Sequence, residues 1–126
     1  MKLPRSTDPA DLRTRLKDYG LRVLRLYDSL PRHGSGQIIG RQLARSGTSP
    51  GAQYREACRA KSDADFISKI EGALQELDET DYWLGLLVNG GYVVSGRLDS
   101  LRTETNELIA ILVTTVRKVK SKRHPR

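Results

Sequence analysis

Glu76 and Glu79 stand three residues apart. On a helix that spacing turns both carboxylates to one face, where they hold a metal ion or pair with cations of a neighbouring helix. A di-iron centre in a helical bundle needs Glu-x-x-His pairs on two helices. The only histidines, His33 and His124, have no such spacing. The carboxylates are therefore expected to pair with Arg41, Arg45, Arg55 or Arg59, and no metal is expected. Cys58 has Arg59 beside it, which favours a thiolate. At an apolar helical position, however, the thiol reads as a small buried hydrophobe. Ser46 and Ser49 lie near a glycine-rich bend with no histidine close in sequence to serve as base. Gly34-Ser35-Gly36 lacks the Gly-Lys-Ser/Thr ending of a phosphate loop. These residues form no catalytic constellation, so neither an enzyme nor a cofactor is expected.

Charge is the remaining lead. The 126 residues carry 22 Lys+Arg against 15 Asp+Glu, a formal net charge of +7. Basic residues gather in three places: Arg13, Arg15, Lys17, Arg22 and Arg25; then Arg41, Arg45, Arg55, Arg59 and Lys61; then the run from Arg117 to Arg126. Acidic residues concentrate at Glu71, Glu76, Asp78, Glu79 and Asp81, a ready complement to the second basic group. The C-terminal run has no acidic counterpart in the sequence, which leaves it for phosphate backbones. Arg13, Arg22, Arg25, Arg117, Lys118, Lys120, Lys122 and Arg123 are the expected nucleic-acid contacts. Tyr82 and Trp83 fall beside a helical core stripe, a combination typical of a subunit contact.

The elements that position these residues are helical. Asp8 caps and Pro9 opens a helix over 9–31, whose stripe is Leu12, Leu16, Tyr19, Val23, Leu26 or Tyr27, and Leu30. Pro31 and the Gly34-Ser35-Gly36 turn end it. A second block, 37–61, carries Ile38, Ile39, Leu43, Tyr54, Ala57 and Cys58. Residues 47–51 interrupt it: either Pro50 kinks one long helix, or Ser49 caps a second piece. Gly47, Gly51 and Ala52 let a neighbour approach closely. Ser62-Asp63 starts a third helix, 63–89, with Phe66, Ile70, Ala73, Leu77, Thr80, Leu84 and Leu87 inward. Tyr92-Val93-Val94 is a packed loop. The last helix, 96–120, buries Leu98, Leu101, Thr105, Leu108, Leu112, Val116 and Val119, and frays after Lys120. The organisation is an arm at 1–8, an all-α, up-down-up-down four-helix bundle at 9–120 and a basic tail at 121–126.

Composition removes other classes. Aromatics make up 6% of the chain, too few for stacking platforms under single-stranded bases. One cysteine excludes an intramolecular disulfide framework and a cysteine-rich zinc site. No apolar run reaches the ~18 residues of a bilayer span, and the start lacks the apolar stretch of a signal peptide. The expectation is a soluble, cytoplasmic protein with no membrane partner.

The segment from Arg45 to Ala60, then Ser62, Ala64-Asp65-Phe66-Ile67 and the run from Glu76 to Leu84, resembles the bacterial four-helix bundle proteins encoded in intervening sequences of 23S ribosomal RNA genes. The similarity runs from about Tyr27 to Leu112. Pro50 replaces a branched apolar residue usual in that family, a departure that bears on the straightness of the second helix, and Gln53 replaces a common Asn. The resemblance implies a homopentamer, five bundles forming a tapered barrel with a central pore. The same architecture occurs in the accessory variability protein of diversity-generating retroelements, which binds nucleic acid and a reverse transcriptase through basic surface. Glu56 and Glu76 match acidic positions of the family, and Arg45 and Arg59 match basic ones, which implies that Arg45, Glu56, Arg59, Glu76 and Glu79 serve helix-to-helix pairing. The expected function is a non-catalytic, oligomeric scaffold that contacts RNA or DNA backbone, structured RNA foremost, by charge and shape. The alternative is an adaptor that docks a nucleic-acid enzyme such as a reverse transcriptase.

Overall fold

The computed structural model describes residues 8–123. Four helices, α1 (Pro9–Ser29), α2 (Gly34–Cys58), α3 (Asp63–Asn89) and α4 (Asp99–Arg123), account for nearly all of them, and no strand occurs among the described residues. Each helix packs on its neighbour in the chain, and α4 returns to α1, closing a four-helix bundle. The expected N-terminal arm lies outside the described residues except for Asp8. That residue caps α1, its carboxylate accepting the Ala10 amide at 2.8 Å ahead of Pro9 at the first helical position.

The apolar stripes supply the core. Leu12, Leu16, Tyr19, Val23, Leu26 and Leu30 of the α1 stripe are all buried, as are Ile70, Ala73, Leu77, Leu84 and Leu87 of α3 and Leu108, Leu112 and Val116 of α4. A fully buried leucine contributes roughly 1.5–3 kcal/mol, whereas a surface ion pair adds about 0–1 kcal/mol. The stripes, not the charges, hold the bundle together. Val119 of α4 is half-buried rather than buried. Two further stripe positions differ from expectation: Ile38 is exposed, and Ile67 is buried while Phe66 is only half-buried. In each case the adjacent apolar residue takes the inward position.

Helix α2 departs most from the sequence reading. Gly34-Ser35-Gly36 is its first turn rather than a connection, and the link from α1 is Leu30 to His33. The helix ends at Cys58, before residue 61, and it runs without a break through Pro50. Ser49 therefore caps nothing. Its hydroxyl instead donates to the Arg45 carbonyl at 2.8 Å, and Thr48 donates to the Ala44 carbonyl at 2.7 Å. These local bonds keep the polar side chains satisfied within a helix that their type disfavours. Cys58 is exposed, not buried: at the last residue of α2 the bundle no longer covers the apolar face.

The close approach expected at Gly47 and Gly51 is present. A Cβ on Gly47 would lie 2.7 Å from Val23 Cγ1, and one on Gly51 would lie 3.5 Å from the Leu16 carbonyl oxygen. Helix α3 is capped as expected, with Ser62 Oγ accepting the Asp65 amide at 3.1 Å. Helix α4 starts at Asp99 and continues past Lys120 to Arg123, so the expected basic tail is helical as far as that residue. Residues 124–126 lie outside the described residues.

Candidate nucleic-acid interface

Two internal hydroxyl pairs and a set of ion pairs fix the orientation of the basic side chains. Tyr19 shares a 2.6 Å hydrogen bond with Thr105 between α1 and α4, and Thr80 donates to Ser46 at 2.8 Å between α3 and α2. Burial pushes the Tyr19 phenol up to about 12, with the Thr105 bond opposing it. Arg15, expected only to face outward, spans α1 to α4: it meets Glu104 at 2.6 Å and Glu107 at 3.4 Å. Its hydrogen bond to Glu104 raises its already high pKa.

Between α2 and α3 the carboxylates do find cations, though not always the expected ones. Arg45 forks between Glu76 at 3.1 Å and Glu79 at 2.5 Å. That hydrogen bond holds the Glu79 carboxyl below its ordinary range. Glu56 pairs with Lys69 at 3.2 Å rather than with an arginine. Arg59 is exposed at the end of α2 and makes no ion pair with a described residue. Glu76 and Glu79 thus face one arginine. Among the described residues, no three His, Cys, Asp or Glu side chains gather into a group that could hold a metal ion.

The expected nucleic-acid contacts do not form one patch. Arg22 and Arg25 line a hollow with Arg97 at one end of the bundle, where Arg22 donates to Ser100 Oγ at 3.0 Å. Arg13 lies at the other end, lining a hollow with Tyr54, Cys58, Lys61, Thr115 and Val119. Arg117, Lys118 and Lys122 are exposed along the last turns of α4, which Arg123 closes. Lys120 does have an acidic partner, Glu71 of α3 at 3.3 Å. The sequence reading missed it because the two residues are 49 positions apart. Arg97 was missed too, since it stands in a connection where periodicity assigns no face.

Tyr82 is 60% exposed, whereas Trp83 is partly buried against the core. Their rings meet edge to face, centroids 5.1 Å apart, and Trp83 Nε1 donates to Glu79 Oε1 at 3.3 Å. Tyr82 is thus held on a rigid base with its ring outward, the geometry of an aromatic contact residue. No described helix is long and apolar enough to cross a membrane.

A likeness to known proteins now joins this geometry. The chain is similar to a protein of unknown function from the S23 ribosomal protein family of Bacteroides thetaiotaomicron VPI-5482, whose crystal structure superposes with a TM-score of 0.81 at 33% identity. The match covers 86% of this chain and 97% of that one. No curated protein matches the chain. The family described as 23S rRNA-intervening sequence protein matches over residues 12–114, from the first core leucine of α1 well into α4. This four-helix chain belongs to the 23S rRNA-intervening sequence protein family.

Proposed function

We propose that this protein is a non-catalytic, cytoplasmic, nucleic-acid-binding scaffold that contacts structured RNA through backbone charge and shape. One observation carries the reading. Arg13, Arg25, Arg117, Lys118 and Lys122 are exposed without an ion-pair partner among the described residues, while seven acidic side chains, Glu56, Glu71, Glu76, Glu79, Asp81, Glu104 and Glu107, are paired within the bundle. A surplus cation at the surface gains most from a phosphate, because each neutralised phosphate releases a counterion. Structured RNA presents such phosphates at fixed spacing, and its deep major groove leaves shape as the readable feature.

In this reading the helices alternate in direction, up-down-up-down, and bundles assemble as a homopentamer. Alternation is supported by the α1–α4 bonds: Arg15, Tyr19 and Arg22 meet Glu104, Thr105 and Ser100, the last and highest-numbered α1 residue reaching the earliest of the three on α4. Five copies multiply a formal charge of +7 and turn weak single contacts into avid ones. Tyr82 with Trp83 is the proposed subunit contact.

The test is fluorescence anisotropy with a labelled RNA hairpin at several salt concentrations. Binding should weaken steeply with salt, and Arg117→Gln with Lys118→Gln should shallow the log–log slope by about 1 per lost phosphate contact. Absence of binding at low salt overturns the reading. A second reading, an adaptor for a nucleic-acid enzyme such as a reverse transcriptase, is favoured by a groove of about 600 Å³ between α1 and α2. Leu21 and Leu24 are exposed there beside Arg13, Lys17 and Arg55. It requires a complex that survives nuclease treatment.

A further inference from the structure

Arg13 of α1, Arg55 of α2 and Arg59 just past its last residue line a single hollow of about 350 Å³, with Cys58 as its remaining wall. None of the three arginines makes an ion pair with a described residue. Of the acidic groups nearby, Asp8 caps α1, its carboxylate accepting the Ala10 amide at 2.8 Å. Glu56 is occupied by Lys69 at 3.2 Å, and Asp63 lines the adjoining hollow beside Lys61.

Helix electrostatics explains part of this arrangement and leaves the rest. The negative C-terminal end of α2 favours cations at Arg55 and Arg59. Arg13 sits in the second turn of α1, near the positive end of that helix, where a cation gains nothing from the dipole. Bringing it to the other two builds a group of like charges, which an anion in the hollow would relieve.

We propose that this hollow binds a phosphate monoester. Guanidinium groups present paired N–H donors in a fixed fork that matches phosphate oxygens. A monoester carries nearly two charges and three strong acceptor oxygens, enough to engage forks arriving from α1, from the last turn of α2 and from its C-cap. A phosphodiester within a chain offers fewer free oxygens and less charge, and it must leave the hollow on both sides. The site goes beyond the diffuse backbone contact proposed above and shares only Arg13 with it.

The experiment uses the full chain and two probes. Inorganic phosphate is tested for protection of Cys58, the only cysteine, against alkylation by iodoacetamide, with sodium chloride at matched ionic strength as control. A 3′-labelled RNA oligonucleotide is compared with and without a 5′-phosphate by anisotropy. Phosphate should slow alkylation, and the 5′-phosphorylated RNA should bind about tenfold more tightly, the scale of one charge-assisted hydrogen bond. Arg13→Gln and, separately, Arg59→Gln should each abolish both effects. If both RNAs bind equally and phosphate gives no protection, the pocket is overturned while the scaffold reading stands. If neither RNA binds but phosphate protects Cys58 in an Arg13-dependent way, the pocket stands and the scaffold reading fails. A 5′-phosphate preference or a protection that persists in both variants also overturns the pocket.

Discussion

Against α2, helix α1 comes backbone to backbone; against α4 it reaches across with long polar side chains. Gly20 lies over Gly47 and Thr48, with an added Cβ 3.8 Å from the Gly47 carbonyl oxygen, and Gly51 lies over the Leu16 carbonyl. Between α1 and α4 the bridges are Arg15 to Glu104 and Glu107, Tyr19 to Thr105, and Arg22 to Ser100. The first seam is tightest at Gly47, where an added Cβ would meet the buried Val23 side chain; at Gly20 and Gly51 it would make ordinary contact. The second is specified by directional bonds between groups that are costly to bury alone. One seam is therefore sensitive to volume, and the other to chemistry and pH.

The largest effect should come from filling the glycine seam. Gly47→Leu places its Cβ against Val23, 2.7 Å from Cγ1, and should cost about 3 kcal/mol in urea denaturation. A loss near zero would mean that α1 and α2 yield as readily as α1 and α4. Next is Arg15→Met, which leaves Glu104 facing a half-dry seam without its cation. Removing one partner of a fully buried pair costs about 3–5 kcal/mol. With both side chains 13% exposed, water screens the remaining carboxylate and about 2 kcal/mol is expected. Adding Glu104→Gln should recover part of that loss, whereas a purely steric role for Arg15 predicts no recovery.

The smallest is Tyr19→Phe, about 1 kcal/mol, because Thr105 keeps its bond to the Leu101 carbonyl at 2.9 Å. This change also has a pH signature. The phenol ionises near 10.0 when unfolded and near about 12 in the fold, so the folded state favours the neutral form. Its contribution is complete below pH 10.0 and lost as pH rises from there towards about 12. Urea midpoints across that window should fall less steeply in the variant than in the parent. Equal slopes would place the alkaline sensitivity elsewhere, Tyr54 being the other phenol that burial pushes up.

Where side chains repeat at helical spacing, the fold was legible. The α1 stripe from Leu12 to Leu30 and the Ser62 cap follow from local chemistry alone. Where geometry depends on a distant element, it was not. Gly34-Ser35-Gly36 reads as a turn because glycine weakens helices, yet Gly36 sits against the Pro31 ring, where a Cβ would be 3.3 Å away. A small residue is what lets α2 begin so close to the end of α1. Cys58 belongs to the apolar period of α2, but the period says nothing about where the bundle stops covering it. The surface cations were individually legible by type. Their division between Arg22 and Arg25 at one end and Arg13 at the other is set by how the helices are joined, which no local window contains.

The two internal hydroxyl pairs have a consequence for how far the helices can slide. A core built largely of leucine stripes would bury similar area if one helix shifted by a turn, because an aliphatic residue would again face an aliphatic residue. Tyr19 with Thr105 and Ser46 with Thr80 do not allow that. A shift of one turn would leave the Tyr19 hydroxyl facing leucine side chains, at about 1–3 kcal/mol, and would forfeit the Ser46–Thr80 bond between helices, though both threonines keep a carbonyl of their own helix. One pin joins α1 to α4 and the other joins α2 to α3. They set the register of α1 against α4 and of α2 against α3 along the bundle axis, a task to which the greasy interior alone is indifferent.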